Sequence, residues 1–92
     1  MTEEARGSFV IVNALGLHAR AATRLVQLAS RFASEVELEK DGMRANAKSV
    51  MGVLLLCGQV GSRIEVRARG PDARQAVEAI GKLIADRFGE ER

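Results

Sequence analysis

Arg63-Ile64-Glu65-Val66-Arg67-Ala68-Arg69 alternates charged and apolar residues without a break. Successive side chains of a strand point to opposite faces, so this stretch predicts a strand with its apolar positions against a core. A second alternating stretch, Glu35 to Lys40, is followed by Asp41-Gly42, a strong signal for a hairpin turn. Together the two stretches predict a sheet with one face in solvent and the other covered by helices.

The remaining elements lie on either side of these strands. β-branched and aromatic residues indicate strands, and apolar residues that recur every three or four positions indicate helices. These signals predict, in chain order, a strand over Ser8–Val12, a helix from Ala19 to Arg31–Ser34, an edge strand over Met43–Ala45, a helix within Asn46–Leu56 and a last helix from Gly70-Pro71-Asp72 to Gly89.

The predicted element order is β-α-β-β-α-β-α. A right-handed crossover through the first helix leaves room for the last strand between the first two. We therefore expect an α+β fold, a two-layer open-faced sandwich with a four-stranded antiparallel sheet in the order 1-4-2-3 and three helices on one face. Ninety-two residues allow a single domain, 1–92, with a core from about 8 to 88.

Composition excludes several classes of protein. Residues Met1–Glu4 are acidic with no apolar stretch behind them, and the longest apolar run, Val53–Cys57, is too short to span a bilayer. The single cysteine, Cys57, cannot form an internal disulfide, and we expect it to be a small buried apolar residue. These features predict a cytoplasmic protein with no membrane partner. Neither a Walker loop nor a Gly-x-Ser-x-Gly elbow is present.

The charge balance gives a weak indication about partners. The net charge is +2, and three arginines, Arg63, Arg67 and Arg69, lie on one face of the predicted strand. A solvated sheet face is the favoured interpretation, and a basic nucleic-acid surface is the alternative. Three Phe with no Tyr or Trp do not provide the stacking platform of a single-strand binder, so we expect no nucleic-acid partner.

His18 is the only histidine, and it stands where the first helix begins. Helix starts have unpaired N–H groups and bind anions, and a neutral imidazole is a nucleophile near physiological pH. Gly16 permits a tight approach, and Arg20 adds a donor for phosphate oxygens. We therefore predict that His18 carries a phosphoryl group, against the alternative of an ordinary capping or loop histidine. With no second histidine we expect no metal, and we expect no cofactor.

Two motifs resemble a known family. Gly16-Leu17-His18-Ala19-Arg20 followed by Ala22 resembles the Gly-Leu/Ile-His-Ala-Arg-Pro-Ala signature of the HPr family, the histidine phosphocarriers of the bacterial phosphotransferase system. Lys48-Ser49-Val50-Met51-Gly52-Val53 resembles the Lys-Ser-Ile-Met-Gly-Val segment around that family's regulatory serine. The resemblance extends from about Ser8 to Phe88.

The resemblance implies a role for each matching residue. His18 would accept a phosphoryl group derived from phosphoenolpyruvate on Nδ1 from Enzyme I and donate it to IIA domains, as a relay carrier and not a stand-alone catalyst. Arg20 would steady the group, with the N–H groups of Ala19 and Arg20 receiving its oxygens. Ser49 would be the target of an HPr kinase/phosphorylase, and an apolar patch would dock the partners of a monomer: Val50, Met51 and Leu54.

Alternatives stay open for several of these residues. Ser49 could be an ordinary helix cap, and the apolar patch could belong to the core. Ala21 stands where the family has proline, and Val53–Gly58 is similar to the Met- and Leu-rich stretch of nitrogen-type paralogues. The alternative function is therefore a regulatory carrier of a nitrogen-type or incomplete phosphotransferase system, without sugar transport.

Overall fold

The secondary-structure elements follow the predicted βαββαβα order. The computed structural model describes residues 3–92. Its elements are β1 (Glu3–Val10), α1 (Ala19–Ala29), β2 (Glu35–Lys40), β3 (Met43–Asn46), α2 (Val50–Leu55), β4 (Arg63–Gly70) and α3 (Ala73–Ala85), with a short 3₁₀ turn over Arg87–Gly89.

The four strands form one antiparallel sheet in the order β1-β4-β2-β3, which confirms the predicted topology. β4 lies between β1 and β2, so the most regularly alternating stretch of the sequence is one of the two inner strands. Its register pairs Ile64 with Phe9 of β1 and Val66 with Leu38 of β2. The inward residues of three strands therefore share one face.

The core lies between this face and the helices. The inward residues of β4 (Ile64, Val66 and Ala68) are buried, as predicted. Helix α3 packs closely on β1 because Gly81 has no side chain: a Cβ there would overlap the ring of Phe9. The buried stripe of α1 recurs at helical spacing and consists of Ala21, Ala22, Leu25 and Ala29.

The opposite face of the sheet is in solvent and carries balanced charge. By register, five arginines and five glutamates lie on this face, and neighbours such as Arg67 and Glu65 (2.8 Å) or Arg44 and Glu39 (3.2 Å) form ion pairs. A nucleic-acid surface needs an uncompensated basic stripe. The carboxylates among the arginines favour the interpretation of Arg63, Arg67 and Arg69 as part of a solvated sheet face.

Two boundaries in the first half differ from the predicted ones. β1 begins at Glu3, not Ser8, and ends at Val10, because β4 supplies hydrogen-bonding partners as far as Gly70 regardless of side-chain type. Helix α1 ends at Ala29 instead of continuing to Arg31–Ser34. The backbone N–H groups of Ala33 and Ser34 donate to the Asp72 carboxylate, which holds this segment in a loop.

Helix α2 lies within the predicted stretch Asn46–Leu56 and begins after Ser49, because Asn46 still pairs with β2. Two further predictions were wrong in the second half. Helix α3 ends at Ala85, before the predicted stop at Gly89. Cys57 is exposed, not buried. Its φ is +53°, the left-handed conformation that terminates helices, so the chain turns after α2 and Leu56 occupies the buried position instead.

Among residues 3–92, no helix has the length and apolar content needed to cross a bilayer.

Candidate functional site

His18 caps the N-terminus of α1. Its backbone is extended (φ −73°, ψ 177°), and its carbonyl accepts the first helical hydrogen bond from the N–H of Ala22 (2.9 Å). Its side chain, 28% exposed, turns back so that Nδ1 accepts a long hydrogen bond (3.3 Å) from the N–H of Arg20. One imidazole nitrogen therefore faces the positive end of the helix dipole.

The turn before His18 fixes this position. Gly16 has φ +65°, and a Cβ on it would overlap the carbonyl oxygen of Gly58, so only glycine fits. The same Gly58 carbonyl accepts the N–H of Leu17 (2.7 Å), and the Asn13 side chain donates to the Gly16 carbonyl (2.9 Å). The loop that leads into α1 is thus held by two hydrogen bonds, one to the Gly58 carbonyl and one from the Asn13 side chain.

The other imidazole nitrogen, Nε2, contacts the Glu90 carboxylate. The second oxygen of that carboxylate accepts a hydrogen bond from Nδ2 of Asn13 (3.0 Å), and Asn13 itself is fully buried. The Asn13 hydrogen bond is the largest influence that holds the pKa of Glu90 below its ordinary value; His18 and Arg24 act in the same direction, against the opposing effect of burial. Glu90 is therefore an anion at neutral pH.

These partners determine the tautomer of the neutral imidazole. A backbone N–H can only donate, so the contact with Arg20 requires a lone pair on Nδ1. The ring proton is then on Nε2, where it donates to the Glu90 carboxylate. In this tautomer the free lone pair of the ring is on Nδ1.

A surface depression surrounds the imidazole. Ala19 and Arg20, whose N–H groups the family resemblance implies would receive phosphoryl oxygens, both line it, so they lie beside His18. Leu15 adds an apolar rim that is 70% exposed. The full lining consists of Ala14, Leu15, His18, Ala19, Arg20, Glu90 and Arg92. Within residues 3–92, no group of three or more His, Cys, Asp or Glu side chains is placed to hold a metal ion.

Ser49 is the N-cap of α2. Its Oγ accepts a hydrogen bond from the N–H of Gly52 (3.1 Å), and its carbonyl accepts the first helical bond from Val53 (3.0 Å). The residue is half-buried. Ser49 therefore has the capping position that the sequence left as an alternative to regulation, and a cap does not exclude modification of the same oxygen.

Helix α2 divides its apolar residues between core and surface. Val53 is fully buried, and Val50 and Leu54 are half-buried against the core. Met51 is 68% exposed, and Leu55, which the sequence analysis did not select, is 62% exposed. The exposed patch of α2 is thus centred on Met51 and Leu55.

Comparison with known proteins identifies the family. A family model described as "PTS HPr component phosphorylation site" matches residues 5–86. The chain belongs to the HPr family. Phosphocarrier protein HPr of Cupriavidus necator is 48% identical over 80 residues, which cover 87% of this chain and 90% of that protein. HPr of Xylella fastidiosa is 45% identical over 82 residues, which cover 89% and 92%.

Solved HPr structures share the fold. HPr-C-His of Thermoanaerobacter tengcongensis superimposes with a TM-score of 0.92 at 41% identity, over 96% of this chain and 99% of the other. HPr of Bacillus anthracis gives a TM-score of 0.83 at 38% identity, over 86% and 94%. The resemblance inferred from the two motifs is confirmed, and the chain is a phosphocarrier of the phosphotransferase system in this general sense.

Two residues around His18, Asn13 and Glu90, could not be selected from the sequence. Asn13 lies in a stretch that predicts only a loop, and no local pattern reveals a buried asparagine. Glu90 lies 72 residues from His18 and beyond the last periodic helix residue. The one sequence signal that the chain stays packed up to this point is Phe88, the last apolar residue of the stripe predicted for the last helix, and it is fully buried.

Proposed function

We propose that the protein is a cytoplasmic, single-domain, monomeric phosphocarrier. In this proposal His18 accepts a phosphoryl group on Nδ1 from Enzyme I, supplied by phosphoenolpyruvate, and donates it to a IIA domain. The observation that carries the proposal is that Nδ1 of His18 faces the N–H of Arg20 in the first turn of α1. Family membership supports the partner class in general.

The helix start supports the charge that transfer would bring to His18. Attack by the Nδ1 lone pair forms an N–P bond while the donor's bond to phosphorus breaks. The phosphoryl oxygens then lie near the N–H groups of Ala19 and Arg20, which begin α1 and precede its first internal hydrogen bond. A dianion at such a helix end is stabilised by about 0.3–2 kcal/mol. Arg20 is the arginine nearest to His18 in sequence, and its guanidinium could neutralise the charge of the phosphoryl group further.

Ser49 is proposed as a regulatory phosphorylation site. Its Oγ accepts one N–H bond from α2, and phosphate oxygens at the same position could accept the same donor, so the fold should tolerate the group. The added negative charge would lie next to Val50 and Met51. Partners with acidic surfaces would then be repelled.

The exposed apolar residues of α2 are proposed as the partner-docking surface. Met51 is the most exposed of the three residues that the family resemblance selects. Val50 and Leu54 are half-buried and pack against the core. Large exposed apolar side chains grouped on one short helix are typical of interaction sites.

Labelling with phosphoenolpyruvate and Enzyme I tests the carrier function. We expect an acid-labile, base-stable phosphoprotein, as a phosphohistidine requires, and we expect His18→Ala to abolish it. Ser49→Ala is the control and should still be labelled. Label that persists in His18→Ala would contradict the proposal.

The nitrogen-type alternative rests on the similarity of Val53–Gly58 to the corresponding stretch of nitrogen-type paralogues. Ala21, a buried residue of the first turn of α1 where the family has proline, is a second departure from the family pattern. Comparing how fast sugar-type and nitrogen-type Enzyme I label the protein distinguishes the two functions. Faster labelling by the nitrogen-type enzyme supports the alternative.

A further inference from the structure

We propose that Glu90 is a positioning residue for phosphoryl transfer, which holds the His18 ring with its proton on Nε2 and the lone pair of Nδ1 toward the start of α1. This inference rests on the proposed carrier function of His18. It assigns to the segment after α3 a role in the site that neither motif of the sequence indicates.

The backbone before Glu90 is built to place this residue. Arg87, Phe88 and Gly89 have φ values of +59°, +55° and +80°, so three successive residues are left-handed and two of them are not glycine. Side chains other than glycine rarely adopt this conformation unless the surrounding structure enforces it. Without this left-handed run the chain would continue along α3 instead of turning toward His18.

Two contacts enforce the turn. Phe88 is fully buried, and it is the largest buried side chain among the described residues. The guanidinium of Arg24 in α1 donates to the Phe88 carbonyl. The segment is therefore anchored in the core and tied to the helix that His18 caps, immediately before Glu90.

The Glu90 carboxylate is held by both of its oxygens. One oxygen contacts Nε2 of His18, and the other accepts the Asn13 amide (3.0 Å). The same Asn13 amide group donates to the Gly16 carbonyl (2.9 Å), which fixes the loop that precedes His18. The Glu90 side chain is only 13% exposed, so water has little access to replace it as the partner of Nε2.

The tautomer matters in both directions of transfer. When Nδ1 attacks phosphorus, the proton on Nε2 stays in place, and the positive charge that develops on the ring is next to a carboxylate. When the N–P bond breaks, its electron pair returns to Nδ1 and a neutral imidazole leaves. No proton has to move in either step, whereas the other tautomer has its proton on the attacking nitrogen. A carboxylate that orients a histidine through its second nitrogen is a recurrent arrangement in catalytic and metal sites.

Glu90→Gln removes the charge and keeps the side-chain size. Glu91→Gln is the matched control, because Glu91 is exposed and, among residues 3–92, its one hydrogen bond is from Arg87 to its backbone carbonyl. The ring ¹⁵N shifts of His18, recorded by NMR in mildly alkaline solution without any partner, report the tautomer. Single-turnover labelling by Enzyme I and phosphoenolpyruvate reports the transfer rate.

We expect the wild type and Glu91→Gln to show the Nε2–H tautomer and equal rates. Glu90→Gln should show a mixture of tautomers and a rate lower by about 10-fold or more, the scale typical of lost histidine-orienting partners. A Glu90→Gln variant with the wild-type tautomer overturns the inference, whatever its rate, and so does a wild-type rate. If the wild type takes no label, the proposed carrier function is wrong. If the wild type and Glu90→Gln are labelled at equal rates, the carrier function stands and only the role of Glu90 is wrong.

Discussion

Replacing Gly16 by alanine tests how strongly the loop geometry determines the site. Gly16 has φ +65°, and an added Cβ would overlap the carbonyl oxygen of Gly58. That oxygen also accepts the N–H of Leu17 (2.7 Å), so relief of the overlap must disturb the hydrogen bond next to His18. Gly42 is the matched control: its φ is +82°, and a Cβ there meets no atom of residues 3–92 within 4 Å.

The two variants separate two costs. Gly42→Ala has only the conformational cost of a left-handed alanine, about 1–2 kcal/mol. Gly16→Ala has the same cost plus that of forcing a carbon into filled space, about 1–3 kcal/mol. The unfolding free energy should therefore be about 2–5 kcal/mol lower for Gly16→Ala than for the wild type. The difference between the two variants isolates the contact with Gly58.

Urea unfolding followed by circular dichroism measures both free energies, and labelling by Enzyme I measures the transfer rate. We expect Gly16→Ala to be less stable than Gly42→Ala and to transfer more slowly. Gly42→Ala should transfer at the wild-type rate, because its turn joins β2 and β3. Equal stability of the two variants would refute the reasoning from the Gly58 contact.

Two further predictions concern polar groups that organise loops. Ser49→Ala should lower the unfolding free energy by about 1 kcal/mol, because the N–H of Gly52 loses its capping oxygen. Ser49→Asp keeps a capping oxygen, so its thermal midpoint should be unchanged while the labelling of His18 becomes slower. A wild-type labelling rate in Ser49→Asp would contradict charge repulsion at the exposed apolar residues of α2. Hydrogen bonds from Ser34 and Ala33 lower the pKa of Asp72, so the stability that Asp72 contributes is complete above the pKa of an unfolded aspartate, roughly 3.9, and is lost as the pH falls through the lower folded value. Asp72→Asn should therefore be less stable than the wild type at neutral pH and should lose less stability than the wild type in acid. Thermal midpoints measured across pH check this, with Asp86→Asn as the control. An acid loss in Asp72→Asn as steep as that of the wild type would contradict the role given to the Asp72 carboxylate.

The sheet could be predicted because its determinants are local. Alternation over Arg63–Arg69 and Glu35–Lys40, with Asp41-Gly42 between strands, requires no knowledge of distant residues, and the handedness of the crossover limits the order. The start of β1 at Glu3 could not be predicted, since Glu-Glu-Ala-Arg-Gly has little strand propensity and pairs only because β4 lies beside it.

The residues of the candidate site also fall into those that the sequence predicts and those that it does not. His18 and Ser49 could be selected because each stands at a helix start within a short motif. Glu90 could not, because its place depends on two non-glycine residues in left-handed conformations and on a partner, Asn13, 77 residues away. The exposure of Cys57 was mispredicted for a related reason, since positive φ at a cysteine has no sequence signal.

The balance of five arginines and five glutamates on the solvent face of the sheet affects encounters with other proteins. Opposite charges a few ångströms apart produce only short-ranged multipole fields, and mobile ions screen what remains within about 8 Å at physiological salt. The net charge of +2 therefore resides on the rest of the molecule. We expect ionic strength to alter association with acidic partners through those other basic residues, Arg20 beside His18 among them, and hardly at all through the arginine-rich strand.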